Sequence, residues 1–215
     1  MVRYPNAAGG LKLIFWGQIV TIIGGLLSAI PFISFVGRIS SIIGLFMNLV
    51  GIYFAKRDTL SGYNEAFVLT VINAAANLIV MFLDSTGTLC KLLSLASCII
   101  GLLIIYYICN TTGKLLRNVD DYNTADLGDK VWNLTKICII VTIVCSLFVI
   151  IPLIGMLAVL GLMAAVIVAL IANIMYLVFL FKSGTRLSMA SLNDNFSNEY
   201  VNPYEQYNNN PYNRY

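Results

Sequence analysis

Four asparagines, Asn48, Asn73, Asn77 and Asn173, lie inside long runs of hydrophobic residues, and they concentrate the chemistry open to this chain. An amide offers donors and an acceptor oxygen but does not titrate, so it can bind or position a molecule without exchanging protons. In hydrocarbon each amide needs a partner, and an interhelical asparagine bond contributes about 0.6–2 kcal/mol. Two readings follow. The asparagines join helices to one another, or they form a polar patch that lines a solute path or binds a lipid headgroup.

Bond-making chemistry finds little to work with. The chain has no histidine, so the commonest general base is missing and no His–Ser or His–Cys arrangement can form. No paired carboxylates lie inside an apolar segment, and no phosphate-binding glycine loop of the P-loop type appears. Cys90, Cys98, Cys109, Cys138 and Cys145 sit in or beside apolar segments without a Cys-x-x-Cys pair, which suits small packing residues better than a disulfide framework or a metal site. Asp120, Asp121, Asp126 and Asp129 resemble a calcium loop in composition but miss the EF-hand spacing, and read as a solvated loop. The expectation is a protein that is not an enzyme and has no cofactor.

The elements that must position the amides are membrane spans. Hydrophobic residues make up 59% of the 215 and charged residues only 11%, against about 25% charged in soluble domains. The mean hydropathy is +0.85. The pattern predicts an all-α polytopic membrane bundle of six spans, near 11–29, 38–55, 65–83, 89–109, 132–151 and 155–181, each close to the roughly 20 residues a bilayer requires. A signal peptide is the rival for the first, but Leu27-Ser28-Ala29 lacks the small-x-small cleavage pattern. Arg3 and Lys12, then Lys56 and Arg57, then Lys114, Arg117, Lys130 and Lys136, then Lys182, Arg186 and Arg214 fall in alternate loops; only Arg38 and Lys91 fall on the other side. The positive-inside rule then puts both termini in the cytoplasm and the protein in the plasma membrane. Trp16, Tyr53, Tyr63, Tyr106, Tyr107, Trp132 and Tyr176 all sit toward the basic ends. The outer connections, near 31–37, 84–88 and 152–154, are too short for an external domain, and Asp84 and Lys91 are placed to pair there. The net charge of +3 forms no basic patch, so nucleic acid is not an expected partner.

Part of the sequence recurs. Ile19-Val20-Thr21-Ile22 returns as Ile140-Val141-Thr142-Ile143, and at the same offset of 121 Leu26, Ile30, Pro31 and Ile33 match Leu147, Ile151, Pro152 and Ile154. With one extra turn after the proline, Asn48 aligns with Asn173, Phe54 with Phe179 and Arg57 with Lys182. This predicts a parallel repeat of helical hairpins, 11–60 and 132–187, within a membrane domain of residues 1–187. Small residues form stripes: Gly17, Thr21, Gly24 and Ser28; Gly37, Ser41, Gly44, Asn48, Gly51 and Ala55; and Gly161, Ala165, Ala169 and Asn173. Such stripes let helices pack closely, either inside one bundle or against a second copy or another membrane protein.

Outside the spans, 110–131 reads as a cytoplasmic loop whose residues 113–119 form a short interfacial helix with Leu115, Leu116 and Val119 toward lipid. Residues 188–215 read as a disordered cytoplasmic tail rich in asparagine and tyrosine. Asn202-Pro203-Tyr204 with Tyr207, and Asn210-Pro211-Tyr212 with Tyr215, repeat Asn-Pro-Tyr-x-x-Tyr and form a candidate docking motif for a cytosolic protein. In this style the chain resembles small multi-span membrane proteins of low-GC Gram-positive bacteria with Tyr/Asn/Pro-rich cytoplasmic segments. The resemblance implies a bacterial plasma membrane and no particular activity. The leading expectation is a non-enzymatic scaffold or accessory subunit acting through helix packing and its tail; the alternative is a small transporter, channel or lipid-handling protein for neutral solutes.

Overall fold

The computed structural model describes residues 4–58, 61–82, 88–148 and 152–199. The described residues form α1 (Pro5–Ser28), a 3-10 turn (Pro31–Ile33), α2 (Ser34–Ala55), α3 (Tyr63–Phe82), α4 (Thr88–Asn118), α5 (Tyr122–Phe148) and α6 (Pro152–Glu199), with no strand among them. Five of these helices are long and apolar enough to cross a membrane over their described residues. In order they form three antiparallel pairs: α1 with α2, α3 with α4, and α5 with α6. The first and last pairs meet through α1 and α6, and α4 packs on α5.

The α1–α2 pair is built on glycine. Gly10, Gly17 and Gly24 recur every seven residues on α1, as do Gly37, Gly44 and Gly51 on α2, and the two rows face each other. A Cβ added at Gly17 would lie 3.0 Å from the Gly44 carbonyl oxygen. One at Gly44 would lie 2.7 Å from the Gly17 oxygen, and one at Gly24 would lie 2.8 Å from the Gly37 oxygen. Backbone therefore lies on backbone along the seam. The hydroxyls of Thr21, Ser28 and Ser41 donate to the carbonyls of Gly17, Gly24 and Gly37 in their own helices, at 2.9, 2.8 and 3.1 Å, which satisfies them without spacing the helices apart. The stripes on the first two spans thus pack against one another rather than against a second subunit. The stripe on α6 faces α5: the Cys138 thiol donates to the Ala165 carbonyl at 3.2 Å, and a Cβ at Gly161 would lie 2.7 Å from the Cys145 sulfur.

The solvent-free core lies at one end of the bundle, where the basic residues also gather. Leu11, Ile14, Ile52, Tyr63, Leu116 and Phe179 are fully buried there or nearly so. The helix ends are tied together at the same level. Pro5 opens α1, but Tyr4 at its N-cap supplies no side-chain bond. Asp58, from the turn after α2, fills that role: its carboxylate accepts from the Ala7 N–H and the Asn6 amide, both at 2.7 Å. A negative group at an exposed helix N-terminus also offsets the helix dipole. Glu65 accepts from the Gly62 N–H at the start of α3, half of a capping box. Gly62 itself has φ +83, and a Cβ there would collide with Thr111. The Tyr63 hydroxyl bonds Thr112 across α3 and α4 at 2.7 Å.

Several expectations change. Residues 110–131 are not an open loop. α4 runs on to Asn118 and α5 starts at Tyr122, joined by a turn in which Asp120 has φ +60. Asp121 caps α5 through Thr124, at 3.1 Å to its N–H and 2.8 Å to its hydroxyl. There is no separate interfacial helix at 113–119. Leu115 and Leu116 are 3% and 0% exposed because they enter the protein core instead of facing lipid. Asp121 and Asp129 are tied to Arg186 and Arg117, at 3.3 and 2.6 Å, rather than merely solvated. Pro152, expected in a connection, opens α6. That helix runs to Glu199, so the tail is not irregular from 188 onward. The Asp84–Lys91 pairing and the Asn-Pro-Tyr motifs involve positions outside the described residues.

The seam makes a testable contrast between adjacent glycines. A Cβ at Gly25 would meet nothing within 4 Å. Gly24→Leu should lower stability by about 1–3 kcal/mol, the usual cost of overpacking, whereas Gly25→Leu should leave it unchanged. Thermal unfolding in detergent reads the difference.

Candidate functional site

Above the packed end the helices separate around a cavity of about 300 Å³. It lies among α1, α2, α3, α4 and α6. Ile14, Ile52, Ile108 and Tyr176 contribute its apolar wall next to the core, and Gln18, Asn48, Thr70, Asn73 and Ser97 supply its polar groups. Among the described residues, no carboxylate, ammonium or guanidinium lines it.

Asn48 and Asn73, from α2 and α3, reach the same cavity. Asn48 sits on the glycine seam: a Cβ at Gly17 would lie 2.7 Å from its Oδ1. That oxygen is buried without a hydrogen-bond partner, and so is the Ser97 Oγ on α4. Ser97 is 9% exposed. Thr70 is the contrasting case, since its hydroxyl donates to the Ala66 carbonyl at 2.7 Å. A buried polar atom without a partner is costly, about 1–3 kcal/mol.

The other two asparagines do not join this group. Asn77 is exposed, and its amide nitrogen donates back to the Asn73 carbonyl at 2.8 Å and lies 3.3 Å from the Asn73 side-chain oxygen. Asn173 lines a neighbouring cavity of about 150 Å³ with Thr135, Cys138 and Ala169, and donates to the Ala169 carbonyl at 2.9 Å. Both amide nitrogens bond within their own helices. These bonds do not fasten one helix to another.

Asparagine positions alone do not single out Gln18, Ser97 or Tyr176. Gln18 carries the same signal, an amide in the middle of an apolar segment. Ser97 and Tyr176 carry none, because a serine or tyrosine in a span is ordinarily satisfied by its own helix or by the interface. Tyr63 and Tyr176 belong to the core, at 0% and 4% exposed, rather than to the headgroup level. Tyr53 behaves as an interfacial ring, with Lys56 beside it at 5.2 Å from the ring centroid.

A hydroxyl that lacks a partner and one that has a partner should respond to truncation with opposite signs. In solute-free protein, Ser97→Ala should raise stability by about 1 kcal/mol, and Thr112→Val, which removes the Tyr63 bond, should lower it by about as much. Reversible unfolding in mixed micelles measures both.

No family model, curated protein or solved structure matches this chain.

Proposed function

We propose that this chain is a six-span protein of a bacterial plasma membrane, with both termini cytoplasmic, that conducts small uncharged solutes through the cavity at Asn48, Asn73 and Ser97. The observation that carries this reading is that Asn48 and Ser97, each with a buried side-chain oxygen that lacks a hydrogen-bond partner, both line one intramembrane cavity. Asn48 Oδ1 only accepts, so the matching molecule has an O–H or N–H donor. The lack of a charged group among the described lining residues favours a neutral molecule. The volume is at the lower end of the range for small-molecule sites, about 300–1,000 Å³. A small polyol, amide or alcohol fits these terms. Its passage breaks no bond, and the mechanism uses no cofactor.

Six spans require α5 to cross as well. Its 27 residues would extend about 40 Å at 1.5 Å per residue, and it runs antiparallel to α6. The hairpin repeat draws support from one pair of contacts. Shifted by 121 positions, Gly17 and Gly44 become Cys138 and Ala165, and those two also meet, thiol to carbonyl. This contact fits an offset of 121 in both arms, a register without the extra turn that aligns Asn48 with Asn173. The scaffold reading loses one of its supports, because the stripes of α1 and α2 cover each other. It now rests on the absence of catalytic groups from the sequence and on the Asn-Pro-Tyr motifs, and predicts that removing 200–215 releases a co-purifying protein.

Gly101 provides the test. It lines the cavity, and a Cβ there would meet nothing within 4 Å. The Cβ of Gly101→Phe is therefore accommodated and its ring should obstruct the cavity, and Gly101→Ala should be folded and conducting. Proteoliposomes are challenged with glycerol, urea or ethylene glycol in a stopped-flow shrinkage assay. The expected result is solute entry above protein-free vesicles that falls about tenfold or more in the Phe variant, a barrier increase of about 1.4 kcal/mol. Equal rates in the Gly and Phe proteins would end the transport reading.

A further inference from the structure

The cavity at Asn48 and the smaller one at Asn173 have three lining residues in common: Leu102 and Ile105, one turn apart on α4, and Tyr176 on α6. Tyr176 follows Asn173 by one turn and is 4% exposed. These three side chains are thus the wall between two chambers. The chambers differ in how their polar groups are met. On the first, Asn48 Oδ1 and Ser97 Oγ have no partner. On the second, Thr135 donates to the Val131 carbonyl at 2.8 Å, Cys138 to Ala165 and Asn173 to Ala169. The first would hold a solute only if these side chains turned toward it, and doing so would give their oxygens the partners they lack. The second has weaker claims on it, and suits a place the solute passes through.

We infer that Tyr176 is a gate between a binding chamber and a second chamber for the same neutral, hydrogen-bonding solute, an inference that rests on the transport reading above. A rotamer change of the ring, with small movements of Leu102 and Ile105, would join the two spaces. The resulting path would run from the α1–α2 pair to the α5–α6 pair past α4. No backbone bond need break, because all three wall residues act through side chains. A phenol ring is well matched to this position. Its face closes an apolar wall, and its hydroxyl offers a hydrogen bond to a solute at the boundary.

The chain carries a reporter in each chamber, Cys98 in the first and Cys138 in the second. Two proteins are made that keep only one of these cysteines, each with Tyr176, Tyr176→Phe or Tyr176→Ala. Each is placed in lipid nanodiscs and treated with iodoacetamide, a small neutral thiol reagent whose amide suits the proposed path and which partitions poorly into hydrocarbon. Mass spectrometry gives the labelling rate. Cys98 should react in all three backgrounds. Cys138 should react slowly with Tyr176 or Tyr176→Phe and faster with Tyr176→Ala. If the gate opens in about 0.1–10% of molecules, the gain is roughly tenfold to a thousandfold. Ile105→Ala, from the other side of the wall, should give a gain in the same direction, and it replaces Tyr176→Ala should that protein fail to fold. A Cys138 rate unchanged by either alanine, with Cys98 reactive, would overturn the gate and leave the binding chamber standing. An unreactive Cys98 in every background would overturn both.

Discussion

The close approach of α1 and α2 is the constraint on which the other packing depends. Lipid tails are as apolar as leucine, so two helices in a bilayer gain little from the hydrophobic effect by associating. They associate by fit, and glycine gives the closest fit. With Gly10, Gly17 and Gly24 laid on Gly51, Gly44 and Gly37, the first two helices act as one slab, and the turn after α2 returns to the start of α1. That return brings Asp58 to the Ala7 N–H, where it caps a helix that lacks a cap of its own. The slab then offers Leu11 and Ile14 from one helix and Ile52 from the other to the common core.

A slab this tight cannot also be a cavity, so the open space falls on its far side. The other helices are held to it at the basic end by Tyr63, Phe179 and Leu116, and by tethers such as the hydrogen bond from the Asn118 amide to the Tyr4 hydroxyl at 3.1 Å. Farther along, larger side chains turn outward. Ile22, Leu26, Phe35 and Ile43 are more than two-fifths exposed, as suits side chains facing lipid. Packing at one end and divergence beyond it leave a space between the slab and α3, α4 and α6. The described polar residues lining that space are few and uncharged, and two of them have an oxygen without a partner. The one-sided distribution of tyrosine and tryptophan follows from the same asymmetry: some of these rings build the packed end, as Tyr63 and Tyr176 do, and others surround it.

Much of the helical content was legible in composition and hydropathy, because a bilayer leaves few alternatives to a helix of about 20 apolar residues. Polarity misled at the α4–α5 connection. Lys114, Arg117 and four aspartates read as a loop, yet Leu115 and Leu116 are buried and helix continues nearly to the turn. A charged stretch was compatible with helix there because its charges lie on the surface while its leucines enter the core. Of the four asparagines, Asn48 and Asn73 meet at one cavity and the other two do not. The difference arises from helix rotation, which an isolated amide in an apolar run does not encode.

The sequence by itself determined that the chain is helical and membrane-like, that it has no histidine and carries amides within its apolar runs, and which residues were small enough to let helices touch. Those properties belong to single residues and to spacings along one helix. Only the tertiary structure decided which stripe meets which, that Ser97 and Asn48, whose oxygens are unpaired, line a common cavity, and that Tyr176 stands between two spaces. Each of these depends on the relative rotation and separation of helices distant in the chain, and these are set by the summed fit of many side chains.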